Sequence, residues 1–163
     1  MALPASLNYL GASAFASCHS LLSIEVESGN THYASVNGVV YDGTTSEIIA
    51  YPAGNPATVY VIENTVTAIG KAALYGAWNL TSVTLPQNLE TVKSYGFYDC
   101  ESITDYALPE TLTSIQQYAF ARSKIKTVAI PGGTEFIGKY AFFNTPLESV
   151  TFAEEGNLKV IEQ

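Results

Sequence analysis

The sequence predicts an α/β solenoid in which each coil contains one short strand and one short helical or irregular turn on its convex side. Three observations lead to this prediction: a motif that recurs about every 23 residues, an alternation of apolar residues at the end of each unit, and a proline directly after that alternation. A single unit of this kind cannot bury its own apolar face, so neighbouring units must stack to form a core. The hydrophobic fraction of 47% over 163 residues is sufficient for such a core.

The repeat is clearest in the second half of the chain. Leu85-Pro86 recurs as Leu108-Pro109, 23 residues later, and as Ile130-Pro131 after another 22. Each of these units then has an aromatic residue preceded by Gly or Ala. The chain is therefore predicted to be a single domain, with repeats at about 1–26, 62–84, 85–107, 108–129 and 130–151, and a partial repeat at 152–163.

The apolar spacing within a unit suggests its local structure. Leu80, Val83 and Leu85 end in period-two alternation, which predicts a short strand with alternate side chains pointing inward. The five-residue spacing from Val92 to Phe97 suits a short helical or irregular turn that closes the coil. The proline after each strand ends strand pairing and does not allow a helix to continue.

Residues 27–61 interrupt the repeat. Val39–Tyr41 and Ile48–Tyr51 have strand composition, and residues 42–46 between them have turn composition, so the sequence predicts an inserted β-hairpin. Two roles for this hairpin remain open at this stage. It either completes a coil and widens the sheet, or protrudes as a recognition element.

The repeated unit, approximately LP-x-x-L-x-x-I-x-x-x-A-F-x-x-C-x-x-L-x-x-V, resembles the BspA-like class of bacterial leucine-rich-repeat proteins over residues 1–26 and 62–163. The Asn-Gly-Val-x-Tyr sequence of the hairpin is also similar to that class. The resemblance implies a right-handed leucine-rich-repeat solenoid, an extracellular or cell-surface location, and a role in adhesion or protein recognition. It implies no catalytic residues.

Composition and motifs argue against several other functions. Charged residues make up 13% of the chain, the net charge is −8, and the seven basic residues are dispersed, which disfavours nucleic acid and anionic membranes as partners. No apolar run reaches the ~18 residues of a membrane span. The sequence contains no nucleophile elbow, calcium loop or glycine-rich phosphate loop. We therefore expect no enzymatic activity, no cofactor and no metal site.

Two groups of residues are candidates for partner binding. The first group flanks the inward residues of the predicted strands and forms a small, polar strand face: Ser82, Thr84, Asp105, Thr127 and Ser149. The second group would lie at an edge, with aromatic side chains able to act as contact anchors: Trp78, Tyr41 and Tyr51. The expected partner is a protein or a glycan. The alternative is a purely structural spacer within a larger surface protein.

The two ends of the sequence lie within the repeat pattern. Leu3-Pro4 opens in mid-unit, Lys159-Val160-Ile161 stops inside a unit, and the first residues lack the features of a signal peptide. Because solenoids need polar caps over their terminal coils, we expect the sequence to belong to a longer array. We also expect this piece to self-associate end to end.

Overall fold

The computed structural model describes residues 1–162 and forms a β-solenoid of about seven turns. Its strands are two to four residues long and are separated by tight turns. In chain order they are β1 (Ala2–Leu3), β2 (Glu25–Val26), β3 (Tyr33–Val36), β4 (Val39–Asp42), β5 (Glu47–Ala50), β6 (Val59–Val61), β7 (Ala68–Ile69), β8 (Ser82–Thr84), β9 (Thr91–Val92), β10 (Ser114–Ile115), β11 (Thr127–Ile130), β12 (Phe136–Ile137), β13 (Ser149–Phe152) and β14 (Val160–Ile161).

The strands form two sets along the solenoid. One set is an eight-stranded sheet in the order β14-β12-β10-β9-β7-β5-β4-β3. Its pairing is parallel from β14 to β5, as in the register Thr91↔Ser114↔Phe136. The other set consists of three parallel pairs, β1–β2, β6–β8 and β11–β13. β2, β8, β11 and β13 of these pairs correspond to strands predicted from the repeats, whereas the strand predicted around Tyr106 does not form. Several coils therefore contribute two strands, and the expectation of one strand per coil is wrong.

The predicted helical turns are also absent, so the α/β class is wrong and the fold is all-β. No residue from 1 to 162 is in a helix. In the turn that follows β9, the Gly96 N–H donates to Lys93 O at 3.0 Å, whereas the next N–H, of Phe97, donates to Ala119 O in the neighbouring coil at 2.8 Å. A helix needs each N–H for its own i−4 carbonyl. Here every second N–H bonds to the next coil instead.

Backbone conformation gives a second reason for the absence of helices. Each turn carries left-handed residues four positions apart, such as Tyr95 (φ 62°) with Asp99 (φ 61°) and Tyr118 (φ 56°) with Arg122 (φ 61°). A left-handed residue interrupts a right-handed helix and is costly for side chains larger than glycine. Apolar spacing alone does not reveal these conformations, because tyrosine is not a residue that usually signals positive φ.

The insertion contains the predicted hairpin, β4 and β5, and two further strands, β3 and β6. β4 and β5 pair antiparallel, and β3 pairs antiparallel with the other edge of β4. Asp42 closes the hairpin turn, since its carboxylate accepts the Ser46 N–H at 2.7 Å and the Glu47 N–H at 2.9 Å. β5 then pairs parallel with β7. The hairpin therefore widens the main sheet and does not protrude.

The buried apolar residues form two clusters that meet at β4. Val39 and Tyr41 point into the larger cluster, which extends through the repeats, and Val40 points into the smaller one beneath the first coil. Period-two alternation of a strand accounts for this division. Inside the larger cluster the Phe97 and Phe120 rings stack at 5.4 Å, and Phe120 stacks on the half-buried Phe142 at 5.6 Å.

Candidate functional site

The strand face consists of the exposed residues that flank one repeat position, which is Val83, Tyr106, Val128 or Val150 in successive units. In β8, Ser82 and Thr84 are exposed on either side of Val83. In β11, Thr127 is exposed next to Val128 and lies in register with Ser149 of β13. The short strands and their alternation thus place the predicted polar residues on the surface, as expected from the sequence.

The five predicted strand-face residues lie in two groups. Ser82, Thr84 and Asp105 line one cleft, whereas Thr127 and Ser149 form a register pair on β11 and β13. The boundary between the groups is segment 104–107, which is equivalent to β8 and β11 in the repeat but forms no strand.

The backbone of segment 104–107 makes no hydrogen bond to any other residue of the described chain. In the neighbouring coils the equivalent amides are paired. The Ser82 N–H donates to Thr58 O, and the Glu148 N–H donates to Lys126 O at 2.8 Å. The parallel ladder of the strand face is therefore interrupted, and the edges of β8 and β11 face the unpaired segment.

Tyr106 provides a physical reason for this interruption. It occupies the inward position that is Val83 in the preceding coil, and its buried ring lies 5.1 Å from Phe97 and 4.7 Å from Phe120. Protein interiors are densely packed, so a phenol ring in a valine-sized space must displace the backbone that carries it. Tyr60 has the equivalent position in β6, but it is only half buried and β6 keeps its pairing.

The interruption leaves a polar cleft of about 450 Å³ between β8 and segment 104–107. Its hydrogen-bonding side chains are Ser82, Thr84, Gln87, Thr104 and Asp105, together with Thr81, whose hydroxyl donates to Thr58 O at 3.0 Å. Neither the cleft nor the roles of Gln87 and Thr104 are predictable from the repeat pattern. The signal that could have indicated the cleft is the tyrosine at position 106, where neighbouring units have valine.

Trp78, Tyr41 and Tyr51, the second predicted group, do not form a common exposed surface. Trp78 is 50% exposed, and its ring lies 4.6 Å from that of His19. Tyr41 and Tyr51 are buried, with 1% and 4% exposure. The Tyr41 hydroxyl forms a 2.7 Å hydrogen bond with the Tyr60 hydroxyl. Burial raises the pKa of Tyr51 to about 12. The hairpin tyrosines are therefore core residues and are unavailable as surface anchors.

A second aromatic feature runs along the turns that follow β9, β10 and β12. Tyr95 stacks on Tyr118 at 5.0 Å, and Tyr118 lies 4.9 Å from Tyr140. Each ring thus contacts its equivalent in the next coil, and the inner members are partly buried. This ladder packs coil against coil, although Tyr140 and Phe143 at its end are exposed.

Several charged side chains form ion pairs between coils. Lys93 contacts Glu47 at 2.6 Å, Arg122 contacts Asp99 at 2.7 Å, and Lys159 contacts Glu135 at 2.9 Å. Among residues 1–162, no group of three His, Cys, Asp or Glu side chains is arranged to hold a metal ion. In the same range, no helix is available that could cross a membrane.

The stacked coils and their polar face define a repeat solenoid with an extended surface. A family model described as the BspA-type leucine-rich-repeat region matches residues 1–38 and 53–163 in six copies. The chain therefore belongs to the BspA-type leucine-rich-repeat family, which confirms the resemblance seen in the sequence. The unmatched residues, 39–52, contain β4 and β5.

Solved structures share this fold. The pneumococcal vaccine antigen PcpA superposes with a TM-score of 0.81 at 24% identity, over 94% of this chain and 38% of that chain. A leucine-rich cell-surface protein from Faecalibacterium prausnitzii gives a TM-score of 0.62 at 21% identity, over 94% and 47%. A leucine-rich-repeat protein from Bacteroides ovatus gives 0.57 at 23%, over 78% and 37%. The chain thus spans less than half of each of these proteins. No curated protein matches it.

Proposed function

We propose that this chain is a non-catalytic recognition module of a bacterial cell-surface or secreted protein, and that it binds a protein or a glycan through its strand face. The observation that carries the proposal is the row of exposed polar side chains on the strand face. Ser82, Thr84 and Thr127 are exposed and make no side-chain hydrogen bond within residues 1–162. Their hydroxyl groups are therefore free to bond to a partner.

The chemistry of this face favours binding over catalysis. Among the five predicted residues the only ionisable group is the carboxylate of Asp105, so the face has no base next to a hydroxyl nucleophile. It also lacks the basic cluster that anionic polymers require. Small hydroxyl side chains allow close approach and exchange hydrogen bonds with a neutral surface. A solenoid presents such groups over several coils, which suits an extended contact.

The surface location is supported by family membership and by two structural relatives. One relative is a vaccine antigen of pneumococcus, and another is described as a cell-surface protein. A role in adhesion or host interaction is consistent with that location. The alternative function is a structural spacer, which is compatible with the same fold but assigns no role to the exposed hydroxyl groups.

The experiment measures the binding of the unaltered chain and of two variants to purified host matrix proteins and to a glycan array. The double variant Ser82→Arg/Thr127→Arg places two large, charged side chains on the strand face without changing a buried residue. The variant Trp78→Ala removes an exposed indole that lies outside the strand face. We expect binding to be lost in the double variant and kept in Trp78→Ala, with unchanged thermal unfolding in both. Loss only in Trp78→Ala would move the site away from the strand face. No binding by the unaltered chain would favour the spacer.

A further inference from the structure

The cleft at the interruption of the strand face has an unusual set of hydrogen-bonding groups. Most backbone groups in a folded protein are paired, and the unpaired ones must face water or a ligand. Thr104, Asp105 and Ala107 are exposed and their backbone groups are unpaired within residues 1–162. The cleft therefore offers backbone donors and acceptors in addition to its side chains.

The side chains of the cleft add further hydrogen-bond donors and acceptors. Ser82, Thr84 and Thr104 have hydroxyl groups that both donate and accept. Gln87 has an amide with the same dual capacity, and Asp105 has a carboxylate that only accepts. None of the residues lining the cleft is lysine, arginine or histidine. A ligand that fits must present many hydroxyl-like groups and no negative charge.

We propose that this cleft binds one or two residues of a neutral saccharide, such as the end of a host or microbial glycan. The inference rests on the proposed function and names the ligand class and position within the strand face. The volume of about 450 Å³ lies within the usual range for small-ligand sites, about 300–1,000 Å³. Each sugar hydroxyl donates and accepts, which matches the mixed groups of the cleft. The Asp105 carboxylate accepts hydrogen bonds from two neighbouring sugar hydroxyls.

A bound peptide strand fits this site less well. Strand addition needs a straight, unpaired edge along which a second backbone aligns. Segment 104–107 already lies beside β8 and is itself outside the ladder, so the free edge of β8 is not open along its length. The cleft also has few apolar contacts for peptide side chains. The site therefore suits a compact polar ligand better than an added strand.

The test uses the full chain and four soluble saccharides: lactose, maltose, N,N′-diacetylchitobiose and sialyllactose. Titrations are followed by amide chemical shifts and by calorimetry. We expect a neutral saccharide to shift the amides of Val83, Thr104 and Ala107, and sialyllactose to bind more weakly than lactose. Asp105→Ala should weaken binding about tenfold, because it removes a charged hydrogen-bond acceptor. Glu154→Ala removes an exposed carboxylate that lies outside both the cleft and the strand face. It is the matched control and should leave affinity unchanged.

The outcomes separate this inference from the broader proposal. Equal losses in Asp105→Ala and Glu154→Ala, or shifts confined to β11 and β13, would overturn the cleft as the site. If no saccharide binds but a matrix protein still binds in a Ser82-dependent manner, the saccharide inference is wrong and the recognition function stands. If neither class of ligand binds, both are wrong. Asp105 is exposed and makes no hydrogen bond within residues 1–162, so Asp105→Ala is not expected to disturb folding.

Discussion

Val128 and Val150 pair in register in the parallel strands β11 and β13, yet Val128 is 5% exposed and Val150 is 40% exposed. The two residues occupy equivalent positions in successive units. Val128 lies among core residues of neighbouring coils, whereas Val150 lies near the end of the described solenoid. The same residue type in the same repeat position therefore contributes differently to the free energy of unfolding.

This difference predicts opposite outcomes for the same substitution. Val128→Asp places an unpaired charge in the core and should cost several kcal/mol, enough to unfold the chain. Val150→Asp leaves its carboxylate in contact with water and should cost about 1 kcal/mol or less. Circular dichroism and urea unfolding of both variants provide the measurement. A fully folded Val128→Asp variant would show that the assigned inward register is incorrect.

The left-handed residues in the turns give a second matched pair. Ala72 has φ of 55° and Ala73 does not have positive φ, although both are buried. Ala72→Gly relieves backbone strain, whereas Ala73→Gly only adds flexibility to the unfolded chain. We expect Ala72→Gly to be more stable than Ala73→Gly by about 1–2 kcal/mol in urea unfolding. Equal stabilities would indicate that the strain at Ala72 is negligible.

The buried thiol of Cys100 should make the fold sensitive to alkali. Burial raises the pKa of Cys100 from 9.0 to about 12. Between those values the unfolded thiol has lost its proton and the folded thiol retains it, so stability falls as pH rises, by about 1.4 kcal/mol per pH unit. That contribution is constant below about pH 9. Tyr51, with its pKa raised to about 12, adds to the loss above pH 10.

The variant Cys100→Ala isolates this effect. It should be less stable near neutrality, because a buried side chain is shortened, but its stability should decline less steeply above about pH 9. Urea midpoints over an alkaline pH series measure both slopes. Thiol labelling supplies a control, since exposed Cys18 should react in the folded state and Cys100 only after unfolding. Parallel slopes for the two proteins would exclude Cys100 as the cause.

The last described coil predicts self-association of this chain. β14 has a strand neighbour on only one side within residues 1–162, and Phe152 and Ile161 are exposed. An open strand edge beside exposed apolar residues promotes pairing with another chain. We expect sedimentation to show a concentration-dependent dimer.

Two lysine substitutions test this expectation. Phe152→Lys with Ile161→Lys should shift the equilibrium to monomer, because it places charges on the apolar end. Tyr9→Lys, at an exposed residue outside any strand, is the control and should leave the association unchanged. A strict monomer at all concentrations would contradict the prediction.

The sequence alone determined the repeat, its register and its family. Val83 and Leu85 have the period-two spacing of inward residues in a strand, and the structure buries both of them together with Leu80. The strand face followed from the same alternation, because residues next to an inward position must point outward. The hairpin was also predictable, since strand composition on both sides of a turn is a local signal. These features depend on spacing between near neighbours in the chain.

Only the tertiary structure decided the turns, the hairpin tyrosines and the cleft. The turns are not helical because their N–H groups bond to the next coil, a partner more than 20 residues away in the chain. Tyr41 and Tyr51 are buried because the hairpin joins the main sheet. The cleft exists because the buried Tyr106 ring packs against both Phe97 and Phe120, which belong to adjacent coils. Each outcome depends on contacts between coils, which local spacing does not specify.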